Sequence, residues 1–194
     1  MLKFLKSIFT KKEIKKEEIA LNELENWFNQ ESKIIFNDLD EKIGEIKSKI
    51  NQEIKKCIEN LAILENTELK NPNIPIRAKQ AMEGNREAYI KRINIFLNNS
   101  YLNKTNYDEI IDFCNNFSNE LNIVAKSTLK SYQILQEFLA NESSNVAMNI
   151  KNLDNNIKEL KNLIINSDLK DIEKIKSGIF DIKPKLNKKN NLKG

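Results

Sequence analysis

The sequence has no histidine among its 194 residues. This absence excludes Ser-His-Asp and Cys-His catalytic arrangements, the HExxH metalloprotease motif and zinc sites that use imidazole. Neither of the common phosphate-binding loops, GxxxxGKS/T or GxGxxG, occurs in the chain. Paired carboxylates such as Asp38 and Asp40 lie in charge-rich helical stretches, where a solvated face explains them. The sequence therefore predicts a protein that is not an enzyme and has no catalytic residues, metal site or cofactor.

Glycine and proline are scarce as well, with four and three residues respectively. A β-sheet protein needs many turns, so this scarcity predicts an all-α fold. The only two cysteines, Cys57 and Cys114, are far apart in sequence and fall in apolar helical stripes. We interpret them as reduced core thiols of a cytoplasmic protein.

Apolar residues recur about every 3.6 positions through two long stretches, which predicts two long helices and, between them, a shorter one. The predicted fold is an elongated antiparallel coiled coil of three helices, two long and one short, preceded by a short N-terminal amphipathic helix. The expected helices cover residues 17–69, 76–98 and 107–166. The corresponding regions are a basic N-terminal helix at 1–16, the coiled-coil domain at 17–166, and a short helix with a basic disordered tail at 167–194.

Local signals set the predicted helix ends. The prolines of NPNIP, residues 71–75, interrupt the first stripe, and Pro75 suits the first turn of the next helix. Asn106, followed three residues later by Glu109, forms a capping box at the start of the last helix. Within that helix the segment NESSN, 141–145, is the weakest place, because its side chains compete for backbone hydrogen bonds. The sequence leaves open whether the helix continues, kinks or breaks there.

Helix length predicts the assembly. At the α-helical rise, the two long helices would measure about 80 and 90 Å and the short one only about 35 Å. The short helix cannot cover the apolar stripes of both long helices, and soluble proteins rarely leave long apolar strips in water. We therefore expect a homodimer in which a second copy covers the exposed stripe.

The first twelve residues, MLKFLKSIFTKK, form an amphipathic pattern. At about 100° per residue the apolar side chains fill one arc of about 160°, Lys3, Lys6, Ser7 and Thr10 lie opposite, and Lys11 and Lys12 come at the end of the segment. A helix of this kind lies in a membrane interface, although it is too short to span a bilayer. Folding back onto the coiled coil is the alternative. The side chains expected to contact an anionic membrane are Leu2, Lys3, Phe4, Leu5, Lys6, Ile8, Phe9, Lys11 and Lys12.

All three arginines, Arg77, Arg86 and Arg92, fall within the short middle helix, whereas the other cations are lysines. Because their spacing places them on different faces, we expect ion pairs with the acidic long helices, with an anion site as the alternative. In the same helix, Gly84 is interpreted as permitting a close helix approach or a kink. Asn85, on the buried side, is interpreted as fixing helix register.

Charge is segregated along the chain. Residues 1–16 carry six lysines against Glu13, net +5, and residues 174–194 carry seven lysines against Asp181, net +6. The whole chain carries +4, so the residues between the ends carry −7. Basic ends on an acidic body predict that the ends meet an anionic partner.

These patterns predict a non-enzymatic coiled-coil scaffold, peripherally attached to the inner membrane face in the cytoplasm. In outline, an amphipathic N-terminus before three long helices resembles BAR-type membrane-shaping modules, a resemblance of architecture without a matching residue motif. Two alternatives stay open. One is a cytosolic adaptor that binds a helical protein partner. The other, ranked last because the body is acidic and arginine is sparse, is a nucleic-acid-associated protein that uses its lysine-rich tails.

Overall fold

The computed structural model describes residues 23–69 and 73–179, and this part of the chain is helical with no strand. The all-α prediction is confirmed. Four helices pack against each other rather than the predicted three, so the predicted helix count is wrong. They are α1 (Leu24–Asn66), α2 (Ile76–Asn99), α3 (Tyr107–Phe138) and α4 (Ala140–Ile165). A further helical stretch covers residues 169–179.

The additional helix arises because the predicted helix 107–166 is divided at Leu139. This residue leaves the helical region, with φ −137° and ψ 52°. Its N–H still closes the last turn of α3 on the Leu135 carbonyl at 2.7 Å, and its own carbonyl accepts the Ser143 N–H at 3.0 Å as the first bond of α4. One residue therefore ends one helix and starts the next.

Side chains hold this corner. The Gln136 amide on the last turn of α3 donates to the Ser143 hydroxyl at 2.6 Å and to the Ser144 hydroxyl at 3.2 Å. The Ser143 hydroxyl in turn donates to the Leu139 carbonyl at 2.7 Å. The expected competition from the serines of NESSN is present, but the backbone breaks at Leu139, ahead of 141–145 rather than within it. The corner forms there because the buried Leu139 anchors it while the serines satisfy its polar groups.

The helix starts follow the local signals closely. Asn106 caps α3, its side-chain oxygen accepting the Asp108 N–H at 2.9 Å and the Glu109 N–H at 3.4 Å. Pro75 is the N-cap residue of α2 rather than part of its first turn, and its carbonyl accepts the Lys79 N–H at 3.0 Å. A cap with an extended backbone suits proline, which has no N–H to contribute.

The chain divides into two compact units. The larger unit is residues 43–163. It contains α1 from residue 43 onward, all of α2 and α3, and α4 up to residue 163. Within it, Arg86 of α2 reaches the Leu64 and Thr67 carbonyls at the end of α1, and Lys47 of α1 reaches the Lys104 carbonyl beyond α2. Residue numbers therefore increase along α1 in the direction in which they decrease along α2, so the two helices are antiparallel.

The other neighbouring helices in the larger unit are antiparallel as well. Arg92 meets Ser127 and Phe96 stacks against Phe117 between α2 and α3, with ring centroids 5.2 Å apart. Between α4 and α1, Asn149 bonds Glu53 while the Glu159 carboxylate lies 3.9 Å from Lys49. Tyr132 of α3 and Ala147 of α4 line one cavity, as Thr128 and Ile150 do. Each helix is therefore antiparallel to its neighbours, the order of an up-down-up-down four-helix bundle.

The core of this bundle is built from the apolar stripes read in the sequence. Fully buried members include Ile50 and Ile54 from α1, Ile93 from α2, and Leu135 and Leu153 from the other two helices. Burying a side chain of this size contributes about 1.5–3 kcal/mol relative to leaving it in water. The stripes of all four helices thus converge on one interior.

The smaller unit contains residues 23–42 and 164–179 of the described chain. Phe28, Leu39 and Ile172 are buried there. Ser32 is 5 % exposed, and its hydroxyl has no hydrogen-bond partner among the residues that the structure describes.

The corner at Leu139 also changes the helix lengths from which the homodimer was predicted. Instead of one rod of about 90 Å, α3 has 32 residues and α4 has 26, or about 48 and 39 Å at the helical rise. Because α4 folds back along α3, it covers part of the stripe that was assigned to a second copy. The N-terminal helix predicted at 1–16 and the tail beyond residue 179 lie outside the described residues.

The close helix approach inferred for Gly84 from the sequence is absent. A Cβ placed on Gly84 would meet no heavy atom within 4 Å, and the same is true of Gly44 in α1. The glycine is therefore not required for a close approach between helices. It only weakens an exposed helix interior, because glycine loses more backbone entropy on folding than alanine does.

We expect Gly84→Ala to raise the free energy of unfolding by about 0.5–1 kcal/mol, because alanine gains helix propensity and meets open space. Urea unfolding followed by circular dichroism measures the change. Ala88→Gly, also at an exposed position of α2, is the matched control and should lower stability by a similar amount. A destabilised Gly84→Ala variant would show that the position is packed.

Candidate interaction surfaces

The nine side chains expected to contact membrane all lie within the first twelve residues, outside the described part of the chain. The three arginines are described, and they occupy three different environments. Arg77 is exposed near the start of α2. Arg92 is exposed and donates to the Ser127 carbonyl of α3 at 2.6 Å. Arg86 is the most buried, with 13 % of its side chain accessible.

Arg86 closes the end of α1. Its Nη1 donates to the Thr67 carbonyl at 2.8 Å and to the Leu64 carbonyl at 3.3 Å, and its Nη2 pairs with Glu83 one turn earlier on α2. The last carbonyls of a helix have no partners within the helix and carry partial negative charge. The guanidinium presents five N–H donors in a planar fork, so it can serve two carbonyls and a carboxylate together. The acidic partner of Arg86 thus lies on its own helix, and its contact with α1 is to backbone.

A buried polar network joins α1 and α4. Glu53 is 8 % exposed and accepts hydrogen bonds from Asn149 at 3.2 Å, Asn152 at 3.4 Å and Lys56 at 2.8 Å. Asn149, which is 5 % exposed, also accepts a bond from the Asn60 amide at 2.6 Å. Burial alone would raise the pKa of the Glu53 carboxyl, but the three hydrogen bonds and the charge of Lys56 outweigh it and hold that pKa below its usual value.

This network was missed in the sequence because each stripe was read as one residue per turn. Glu53 lies three residues after Ile50 and four before Cys57, so it belongs to the second row of the buried face of α1. Asn149 occupies the corresponding place between Val146 and Leu153. Polar residues within the apolar stripes of two helices were the sequence feature that could have indicated this network. Their pairing fixes the register of α1 against α4.

A second interhelical polar contact lies between α2 and α3. The Ser131 hydroxyl donates to the Asn85 side-chain oxygen at 3.0 Å, and the Asn85 amide donates to the Ala81 carbonyl at 2.7 Å. Asn85 is thus placed where it can fix register, as its position in the sequence indicated.

The two thiols are buried and unpaired in disulfides. Burial raises the pKa of Cys57 to about 12 and that of Cys114 to about 11. A thiol with so high a pKa has almost no thiolate at neutral pH, and thiolate is the reactive form. Both cysteines therefore act as small apolar core residues.

One outer surface of the larger unit is apolar at its centre. We call it the α2–α3 face. It consists of Arg92, Ile95 and Asn99 on α2, and Glu120, Ile123 and Ser127 on α3, which line a groove of about 260 Å³ together with Phe96 and Val124 at its base. Ile95 is 54 % exposed and Ile123 is 66 % exposed. The two isoleucines form an accessible apolar patch on neighbouring helices.

Within the described ranges, 23–69 and 73–179, no group of His, Cys, Asp and Glu side chains is arranged to hold a metal ion. No helix in these ranges is both long enough and apolar enough to cross a membrane. The polar groups of the bundle interior that are described above are engaged in helix-to-helix contacts.

Comparison of the chain with protein-family models, with curated proteins and with solved structures finds no match.

The Glu53 network predicts a pH-dependent contribution to stability. Because its pKa is lower in the folded state, ionised Glu53 stabilises the bundle above the unfolded pKa, and this contribution is lost as pH falls through the folded pKa. We expect Glu53→Gln to lower the free energy of unfolding at pH 7 by about 1.5–3 kcal/mol, the range for a hydrogen bond to a charged group. The deficit should shrink as pH falls below 4, about the usual glutamate pKa.

Urea unfolding at both pH values measures this difference. Glu159→Gln is the control, because Glu159 is 54 % exposed and its ion pair with Lys49 is long, at 3.9 Å. Exposed pairs contribute little, so this variant should change stability by less than about 1 kcal/mol at either pH. An equal deficit for Glu53→Gln at both pH values would contradict the role of the ionised carboxylate.

Proposed function

We propose that this chain is a non-enzymatic helical scaffold that attaches peripherally to an anionic membrane at the cytoplasmic face through an amphipathic helix in residues 1–16. The observation that carries the proposal is the combination, in the first twelve residues, of a single apolar arc with a lysine-bearing opposite side. This combination is typical of helices that lie in the membrane interface.

The charge distribution supports the same proposal. Near an anionic leaflet each basic residue contributes about 1 kcal/mol, so the net +5 of residues 1–16 provides on the order of 5 kcal/mol. Partial burial of Phe4, Leu5 and Ile8 adds to this, and ordering the helix subtracts from it. The result is reversible attachment. The acidic middle of the chain, net −7, is repelled by the same surface, which favours contact through the ends.

The bundle gives the scaffold its rigid part. Its interior is mainly apolar, and the Glu53 and Asn85 contacts specify how the helices align. Membrane shaping is not part of the proposal. The resemblance to BAR-type modules depended on three long helices, and the division at Leu139 gives two shorter helices in place of the last one.

Cosedimentation with phosphatidylcholine vesicles, with and without phosphatidylserine, tests the attachment. The full chain should pellet with the anionic vesicles and much less with neutral ones. Leu5→Gln with Ile8→Gln removes two apolar side chains without changing charge, and we expect at least about a tenfold loss of partitioning, since each buried side chain contributes more than 1 kcal/mol.

Ser7→Gln with Thr10→Gln is the matched control. It places the same amide side chains on the polar side of the same segment, so partitioning should stay close to that of the unchanged chain. Equal loss in both double variants, or pelleting that ignores Leu5 and Ile8, would contradict attachment through an inserted apolar arc. The second result would leave only a lysine-driven contact with anionic surfaces.

A further inference from the structure

The α2–α3 face has a regular arrangement of three rows. Arg92 contacts Ser127, and because α2 and α3 are antiparallel, this register places Ile95 level with Ile123 and Asn99 level with Glu120. On each helix the three positions follow the i, i+3, i+7 spacing of one surface. The face therefore has an apolar middle row, a cation at one corner and an anion at the diagonally opposite corner.

Arg92 is held in place at its corner. Its Nη1 donates to the Ser127 carbonyl at 2.6 Å, which uses one of the five N–H donors of the guanidinium. The remaining N–H groups lie on an exposed side chain at the rim of the groove. Glu120 is likewise exposed at the other end. The two charges thus mark the ends of the apolar row.

We propose that the α2–α3 face binds the same face of a second copy of this chain, forming a two-fold symmetric dimer. The proposal does not depend on membrane attachment. A second copy is the occupant that fits best because the face is complementary to itself: it offers one charge of each sign at opposite corners and two isoleucines between them.

The symmetry can be specified. The α2–α3 faces of two copies can contact each other when the two-fold axis that relates the copies lies in the plane of contact. An axis along the diagonal from Ser127 to Asn99 brings Arg92 of one copy to Glu120 of the other, and this happens twice. The end rows are about 10 Å apart and neighbouring helices are separated by about 8–10 Å, so the face is nearly square. The helices of the two copies then cross nearly at right angles, and the four isoleucines interleave.

A contact made by six side chains from each copy is small. Small interfaces are typical of weak association, so we expect a dissociation constant on the order of 10 μM. Sedimentation equilibrium of the full chain over a concentration range spanning this value should show the mass rising from 22.6 kDa toward twice that mass. A chain that stays monomeric throughout the range would overturn the proposal.

Substitution of the apolar row locates the contact. Ile123→Asp should abolish the dimer. Ile63→Asp is the matched control, because Ile63 is 55 % exposed, close to the exposure of Ile95, but lies on α1 away from this face. The control should dimerise as the unchanged chain does. Circular dichroism checks that both variants remain folded. A dimer that survives Ile123→Asp uses another surface and overturns the proposal.

Charge reversal tests the pairing itself. Arg92→Glu alone and Glu120→Arg alone each place like charges opposite one another at two points of the dimer, and each should raise the dissociation constant by about tenfold or more. An equimolar mixture of the two single variants should form a heterodimer with an affinity close to the original. In that heterodimer every reversed residue faces its opposite charge.

The double variant Arg92→Glu with Glu120→Arg should dimerise with itself for the same reason. Recovery in both the mixture and the double variant supports the diagonal pairing, because no other arrangement of these two residues restores both. Failure of the mixture to recover, with both single variants weakened, would overturn the two-fold arrangement.

Discussion

The need to cover apolar stripes is the constraint from which the rest of the structure follows. Each of the four helices carries a stripe too long to be left in water, and within residues 23–69 and 73–179 other helices cover it. The turn at Leu139 supplies an additional helix from a stretch whose periodicity continues without glycine or proline. Folding α4 back along α3 allows four stripes to share one interior in residues 43–163.

Polar contacts then select one alignment among the many that apolar packing allows. Glu53 and Asn149 join α1 to α4, Asn85 and Ser131 join α2 to α3, and Arg86 joins α2 to the end of α1. Each of these contacts has partners only when the helices are in register. A shift by one turn would leave a buried carboxylate or amide unsatisfied, which costs more than the hydrogen bond itself contributes.

Much of the fold was accessible from the sequence, but the division of the last helix was not. The all-α fold followed from the apolar periodicity, and the Asn106 cap followed from short-range capping rules. The turn at Leu139 has no glycine or proline to mark it; it depends on Gln136 meeting Ser143 and on the burial of Leu139, which are consequences of tertiary packing. Arg86 was noticed as an unusual arginine, but its carbonyl partners become visible only once α1 ends beside α2. The pairing of Ile95 with Ile123 across two helices could not be derived from either helix alone.

The fold of the larger unit depends most on α4 folding back along α3, and a distance measured between the two helices across the corner at Leu139 tests this directly. Spin labels at Asn115→Cys and Asn162→Cys, both exposed, can be introduced into a chain whose buried Cys57 and Cys114 are replaced by alanine. In the bundle the two labels lie on neighbouring antiparallel helices, so double electron–electron resonance should give a distance of about 20 Å. An uninterrupted helix would separate them by about 70 Å at the helical rise, and that result would contradict the fold described for the larger unit.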